Sequence, residues 1–225
     1  PAQAKTRMVA FAPSCGEAQV DGGIPEHVQL GLKKFASIQV RDVTTASLVE
    51  KVTGTQPTIV TDPTWLQDDP EVEFSRRAKK PYLLVYGPGI DEARAQIVKD
   101  YCRRNGLLLV SAASPCRGAD RYHFSLTPFA WVDLFRHARG VVTSTFHGLL
   151  YAIKYQKPLV FMVREPSRSK SKLVLDRCGL EKRVVEEGDP FTNEHLTRFL
   201  AQNEGCAIPS DWRDESRELL AQSLG

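Results

Sequence analysis

A histidine falls at the start of an amphipathic segment: Ser144-Thr145-Phe146-His147-Gly148 follows the strand-like Gly140-Val141-Val142-Thr143 and leads into Leu149-Leu150-Tyr151-Ala152-Ile153. Phe146, Leu149, Leu150 and Ile153 recur at helical spacing, so the segment buries one face as a helix, and Ser144 or Thr145 can cap its first amides. Those amides and the helix dipole favour an anion at the mouth. An imidazole beside an anion can give or take a proton near neutral pH, which suits phosphate or carboxylate chemistry. The same residues also fit a structural role, in which His147 satisfies a buried hydrogen bond in a helix-start turn.

Cations stand at two other strand ends. Arg41 directly follows the strand-like Ser37-Ile38-Gln39-Val40 and can hold a carboxylate or phosphate in a bidentate fork. The competing reading pairs it locally with Asp42, which can also cap the next helix. Arg168, Lys170 and Lys172 precede an apolar helix; such a run is ordinarily solvated surface, and its place after a strand end brings it toward the same chemistry. Cys15, in Ser14-Cys15-Gly16, is the one cysteine in a setting that suits a reactive thiol. His27, His137 and His195 lie in polar helical patterns and His123 follows a loop, so structural or surface roles fit all four.

The elements that must position these groups alternate between short β-rich runs and amphipathic helices, which predicts α/β architecture with parallel sheets covered by helices. Strands are expected over 7–12, 37–41 and 58–61, with helices over 25–35 and 44–53, the second ended by Gly54 in a left-handed conformation. Residues 67–80 run from acidic to basic without an apolar period and read as a linker. This divides the chain into a partial first domain, 1–70, and a second, 71–225. The second is predicted as strand 81–86, helix 91–105, strand 106–112, helix 127–136, strand 141–143, the His147 helix and strand 158–163, with helices over 169–178, 192–202 and 209–224. In open α/β sheets ligands lie outside the carboxyl ends of the strands, so the turns after the strands carry the candidate residues.

Composition narrows the function classes. A chain of 225 residues that is 42% hydrophobic and 25% charged can bury a substantial core, and a net charge of +3 gives no case for nucleic-acid binding. No apolar run is long enough to cross a bilayer, and no signal-peptide pattern opens the sequence, so a soluble cytoplasmic protein is expected. Five scattered cysteines without Cys-x-x-Cys spacing read as reduced thiols, and no ligand cluster predicts a metal.

Taken in order, Phe11-Ala12-Pro13-Ser14-Cys15-Gly16, Ser37 to Asp42, Asp62-Pro63-Thr64, Trp131-Val132-Asp133 leading through Arg139 to the Ser144–Gly148 turn, and Lys172 with Gly179-Leu180-Glu181-Lys182-Arg183 resemble the polysaccharide pyruvyltransferase family. The resemblance runs from about residue 9 to 185. It implies Rossmann-like halves in an arrangement similar to glycosyltransferases of the two-domain B type. It also implies a reaction: phosphoenolpyruvate donates its pyruvyl group as a ketal to two hydroxyls of a sugar in a polysaccharide or glycoconjugate, and phosphate leaves. Phosphoenolpyruvate would then be the donor substrate, with no separate cofactor. On the matching positions, His147 is the expected general acid and Arg41 orients the donor carboxylate. Arg168 and Lys172 neutralise the phosphate, Ser144, Thr145 and Gly148 supply dipoles, and Ser14, Gly16 and Asp62 line the cleft.

The family ordinarily begins with a further segment of roughly a hundred residues, about half a domain. The expectation is therefore an incomplete first domain: the chain is a fragment of a longer protein, its missing half is supplied by another chain, or it pairs with itself. Two other functions stay open on the residues alone. One is a sugar-nucleotide glycosyltransferase or epimerase, with Gly87-Pro88-Gly89 as its phosphate turn; the other is a catalytically inactive binding module of a glycan pathway.

Overall fold

In the computed structural model, which describes residues 7–16, 18, 23–71, 74, 77–200 and 206–224, the chain divides into two units. The first comprises 1–67 with 209–225; the second comprises 68–208.

The first unit opens with β1 (Val9–Phe11), α1 (Glu26–Leu32), β2 (Ser37–Gln39) and α2 (Val43–Thr53). β1 and β2 pair in parallel, Val9 opposite Ser37. Asp42 starts α2 by accepting the amide of Thr45 at 2.7 Å, and Gly54, with φ of 73°, ends it in the left-handed conformation that a side chain would resist. The expected strand over 58–61 shortens to a bridge between Val40 and Ile59. Two backbone bonds, Val40 N to Thr58 O and Val60 N to Val40 O, are made before the turn at Asp62-Pro63.

The second unit holds the larger sheet: β3 (Tyr82–Tyr86), α3 (Glu92–Arg104), β4 (Leu108–Ala112), β5 (Arg121–His123), α4 (Pro128–His137), β6 (Gly140–Thr143), α5 (Phe146–Lys154), β7 (Leu159–Met162), α6 (Glu165–Arg177), β8 (Val184–Val185) and α7 (Asn193–Leu200). The strands are parallel throughout and ordered β5-β4-β3-β6-β7-β8, the pattern of a doubly wound Rossmann-like sheet. Leu83, Val85, Leu109, Val142 and Val160 pack with Val98 of α3 and Leu196 of α7 in one core. A second group of rings joins α4 and α5 to β3: Trp131 meets Tyr86, Phe135 and Tyr151 edge-on, with centroids 4.8–5.2 Å apart.

The structure departs from the sequence-based expectations elsewhere as well. His123, expected after a loop, belongs to the edge strand β5, whose Arg121-Tyr122-His123 lacks a β-type apolar pattern and is paired on one side only. Residues 68–80, within the expected linker, belong to the second unit: Asp69 pairs with Lys154 at 2.6 Å and accepts the Tyr155 hydroxyl, and Arg77 bonds both oxygens of Asp133 at 2.9 Å. The last helix, α8 (Ser210–Leu224), is expected within 71–225 but returns to the first unit. Trp212 packs edge-on against Trp65, and the Ser216 hydroxyl accepts the Thr61 amide at 2.9 Å. The predicted helix over 192–202 is seen as α7, and its last two positions lie outside the described residues.

Candidate active site

Winding of the second sheet reverses between β3 and β6: β4 and β5 continue to one side, β7 and β8 to the other. The turns after β3 and β6 therefore face the place where an open α/β sheet takes its ligand. Two side-chain bonds tie these turns together: Thr143 Oγ1 donates to the Tyr86 carbonyl at 2.7 Å, and Ser144 Oγ donates to the Pro88 carbonyl at 2.6 Å. The approach here is too close for a side chain on Gly87. At its φ of 104° a Cβ would lie 2.6 Å from Thr145 Cγ2 and 2.9 Å from Ser144 Oγ.

Thr145, rather than Ser144, caps α5, its hydroxyl accepting the Gly148 amide at 3.0 Å. Gly148 itself is required by packing, since a Cβ there would meet Thr143 Oγ1 at 2.1 Å. Phe146 turns inward while His147 is exposed, its ring edge-on to Phe146 with centroids 5.7 Å apart. The imidazole thus stands at the solvent side of the first helical turn, the end where the helix dipole is positive and favours negative charge.

The turn after β7 joins this group. Ser167, in the first turn of α6, donates from its hydroxyl to the Ser144 carbonyl at 3.3 Å. Arg164, the residue before α6, flanks Gly89, whose added Cβ would sit 3.4 Å from Arg164 Cδ. Arg94 donates to the Gly89 carbonyl at 2.9 Å. Both guanidinium groups line a cavity of about 130 Å³ with Met162, Val185, Glu186 and Glu187. In the sequence Arg164 is only the start of a basic run, and the expected roles fall on Arg168 and Lys172 instead. Arg94 gives no signal there: an arginine in the first turn of a polar helix looks like solvated surface until the Gly89 loop is seen beside it.

Arg168 and Lys172 lie against a neighbouring cavity that shares Val163 and Glu186 with the one lined by Arg164 and Arg94. The Arg168 guanidinium bonds Glu186 at 2.8 Å and Glu165 at 2.9 Å, and these two carboxylates hold its pKa above the ordinary value. Lys172 is exposed and reaches Asp176 at 3.4 Å. Their cavity, of about 280 Å³, lies between α6 and β8.

The expected residues of the first unit gather in a cluster of their own. Arg41 pairs with buried Asp62 at 2.6 Å, whereas Asp42 caps α2, so the local Arg41–Asp42 pair is not formed. Asp62 also accepts the Thr64 amide at 3.0 Å. The Gly16 amide reaches Ser14 Oγ at 3.2 Å, and the Cys15 amide reaches Thr45 Oγ1 at 2.9 Å. Among the described residues there is no group of three or more His, Cys, Asp or Glu able to hold a metal, and no helix long and apolar enough to cross a membrane.

Residues 1–166 match the family model described as polysaccharide pyruvyl transferase, a span that includes the His147 turn. No curated protein matches the chain. Among solved structures it is similar to the glycotransferase of kitacinnamycin, at 12% identity over 90% of this chain and 53% of that one, with a TM-score of 0.46. It is also similar to the glycosyltransferase SnogD from Streptomyces nogalater (13% identity, 85% and 52% coverage, TM-score 0.44) and to CalG4, the calicheamicin glycosyltransferase (16%, 96% and 62%, TM-score 0.44). The chain thus spans about half to three-fifths of the length of these proteins.

Proposed function

Because the chain belongs to the polysaccharide pyruvyl transferase family, we propose that it moves the pyruvyl group of phosphoenolpyruvate onto two hydroxyls of a sugar in a polysaccharide or glycoconjugate. In this reaction one hydroxyl oxygen bonds to the enol carbon while the methylene carbon takes a proton and becomes methyl. The carbon–oxygen bond to phosphate breaks, and the second hydroxyl closes the ketal. Of the two hydroxyl protons released, one balances the new methyl group and the other leaves with inorganic phosphate.

His147 supplies the methylene proton in this reading and recovers one from the attacking hydroxyl, work that an imidazole can do because it both donates and accepts protons. The departing phosphate is held by the dipole of the α5 first turn, with Arg164 and Arg94 in the adjoining turn as cationic partners. The observation that carries the proposal is the exposed position of His147 in that turn, at the reversal of the sheet and inside the matched span.

The test is phosphate release from phosphoenolpyruvate with a panel of sugar acceptors, using wild type and His147→Ala of verified fold. Wild type is expected to turn over, and the variant to lose roughly 10²–10⁴-fold in rate. Undiminished turnover in His147→Ala would remove the histidine from the mechanism. Thermal stabilisation by nucleotide sugars and not by phosphoenolpyruvate would replace the donor.

A further inference from the structure

A cavity of the second unit lies at the opposite end of the sheet from His147. It is a basin of about 800 Å³ bounded by Pro81 and Tyr82 at the start of β3, by Arg139 just before β6 and by Pro158 just before β7. Arg77, Lys79, Lys80, Arg136, Arg139 and Lys157 line it, and among the described residues no Asp or Glu does.

Only part of this charge is balanced. Buried Asp133, behind the lining, bonds Arg77 through both oxygens and sits 3.2 Å from His137 Nε2. Arg136 donates to the Asp69 carbonyl at 2.8 Å and to the Tyr155 hydroxyl at 3.2 Å, with Glu71 near enough to act on its charge. Among the described residues Lys79, Lys80, Arg139 and Lys157 form no ion pair. Burial, and secondarily the neighbouring Arg139, push the Lys157 ammonium below its ordinary pKa. Like charges held together in a cavity repel one another, and an anion placed among them relieves that repulsion.

We propose that this basin binds a compact phosphate anion of several charges, of the diphosphate or oligophosphate class. A bounded cavity of this size suits a small molecule better than a long chain. Phosphate anhydrides concentrate charge within such a volume, whereas a carboxylated glycan spreads one charge over each sugar. Guanidinium and ammonium groups together offer both the forked and the point contacts that phosphate oxygens accept. The four residues of β6, at about 3.3 Å each, separate Arg139 from the turn that carries His147. The basin is therefore a second site, and its case does not rest on the donor reading above.

Calorimetric titration with pyrophosphate and tripolyphosphate at low salt, with acetate as the control anion, tests the proposal. Saturable binding of the phosphates but not acetate is expected, weakening as salt rises. The double variant Arg139→Ala, Lys157→Ala should bind roughly tenfold or more weakly. Lys79→Ala with Lys80→Ala, both at exposed positions, provides a second check should the first variant misfold. His147→Ala should bind as wild type does, so failure here and failure of the donor mechanism are distinguishable. Tighter binding of ADP than of pyrophosphate would assign a nucleoside diphosphate, and competition by phosphatidic acid vesicles a lipid headgroup; either keeps the site. Pyrophosphate binding no stronger than acetate, or unaltered in both double variants, would overturn it.

Discussion

The two units bury their sheets to different depths. In the second, β6 and β7 are buried at every residue, as are the first four of β3. In the first, every residue of the three-residue strands β1 and β2 is only half-buried, and the apolar cluster is built around Val40, Ala46, Leu48 and Val49. Small assemblies bury a smaller fraction of their surface, so each remaining contact matters more. The candidate chemistry follows the same division: the His147 turn is fixed on the deeply packed sheet by bonds from Thr143, Ser144 and Ser167, which gives it the rigidity that positioned catalysis needs.

The widest gap should appear when one buried ring is removed from each unit. Phe135→Ala deletes a fully buried ring between Tyr86, Trp131 and Tyr151 and is expected to cost the second unit about 3–5 kcal/mol. Trp212→Ala removes the partner of Trp65 and should release α8. Native-state hydrogen exchange distinguishes them: the first should accelerate exchange in β3 and β6, the second within 210–224 and at Thr61. Equal acceleration in both units by either substitution would abolish the contrast.

A smaller difference should separate two glycines. Gly148→Ala forces a methyl against Thr143 Oγ1 and should destabilise by about 1–3 kcal/mol while lowering turnover. Gly54→Ala meets no atom within 4 Å and bears only the left-handed backbone cost, about 1 kcal/mol. Urea denaturation of the two variants gives the comparison, and a larger loss for Gly54→Ala would reverse it.

The smallest effect is one of reactivity. Burial pushes the thiols of Cys102 and Cys178 up to about 12 and that of Cys116 to about 11, and raises Cys206 as well. A raised pKa keeps the thiol protonated at pH 8, so these four cysteines of the second unit should alkylate slowly and speed up only as pH climbs toward those values. Cys15, half-buried in the first unit, should be modified first in a short iodoacetamide pulse read by mass spectrometry. Preferential labelling of Cys102 or Cys116 would mean that the second unit opens more readily than the first.

Much of the second unit is legible in the sequence because its local signals agree with one another. Asp91, Thr127 and Thr145 cap the helices that their positions predict, and the apolar runs of β3, β4, β6 and β7 are those of parallel strands buried on both faces. What the sequence hides depends on distant partners. Arg121-Tyr122-His123 becomes a strand only because β4 offers it an edge. The charge pattern of 67–80 looks like a tether because Asp133 and Lys154, which secure Arg77 and Asp69, lie 56 and 85 positions further along. At the site, His147 and its helix mouth are readable from spacing, while Arg94 acquires meaning only through the Gly89 carbonyl. Local spacing makes Arg41 either a free fork or the partner of Asp42, and the carboxylate it meets is Asp62.

The return of α8 bears on the order in which the protein is made. The Thr61 amide finds its acceptor on Ser216, 155 positions later, and Trp65 waits nearly as long for Trp212. At translation speeds of about 5–20 residues per second, the first segment emerges from the ribosome many seconds before its closing helix exists. Every strand of the second unit, by contrast, emerges before α8 does. The unit whose strands come earlier in the chain is therefore completed only after the strands of the other, and through that interval Trp65 lacks the ring it packs against.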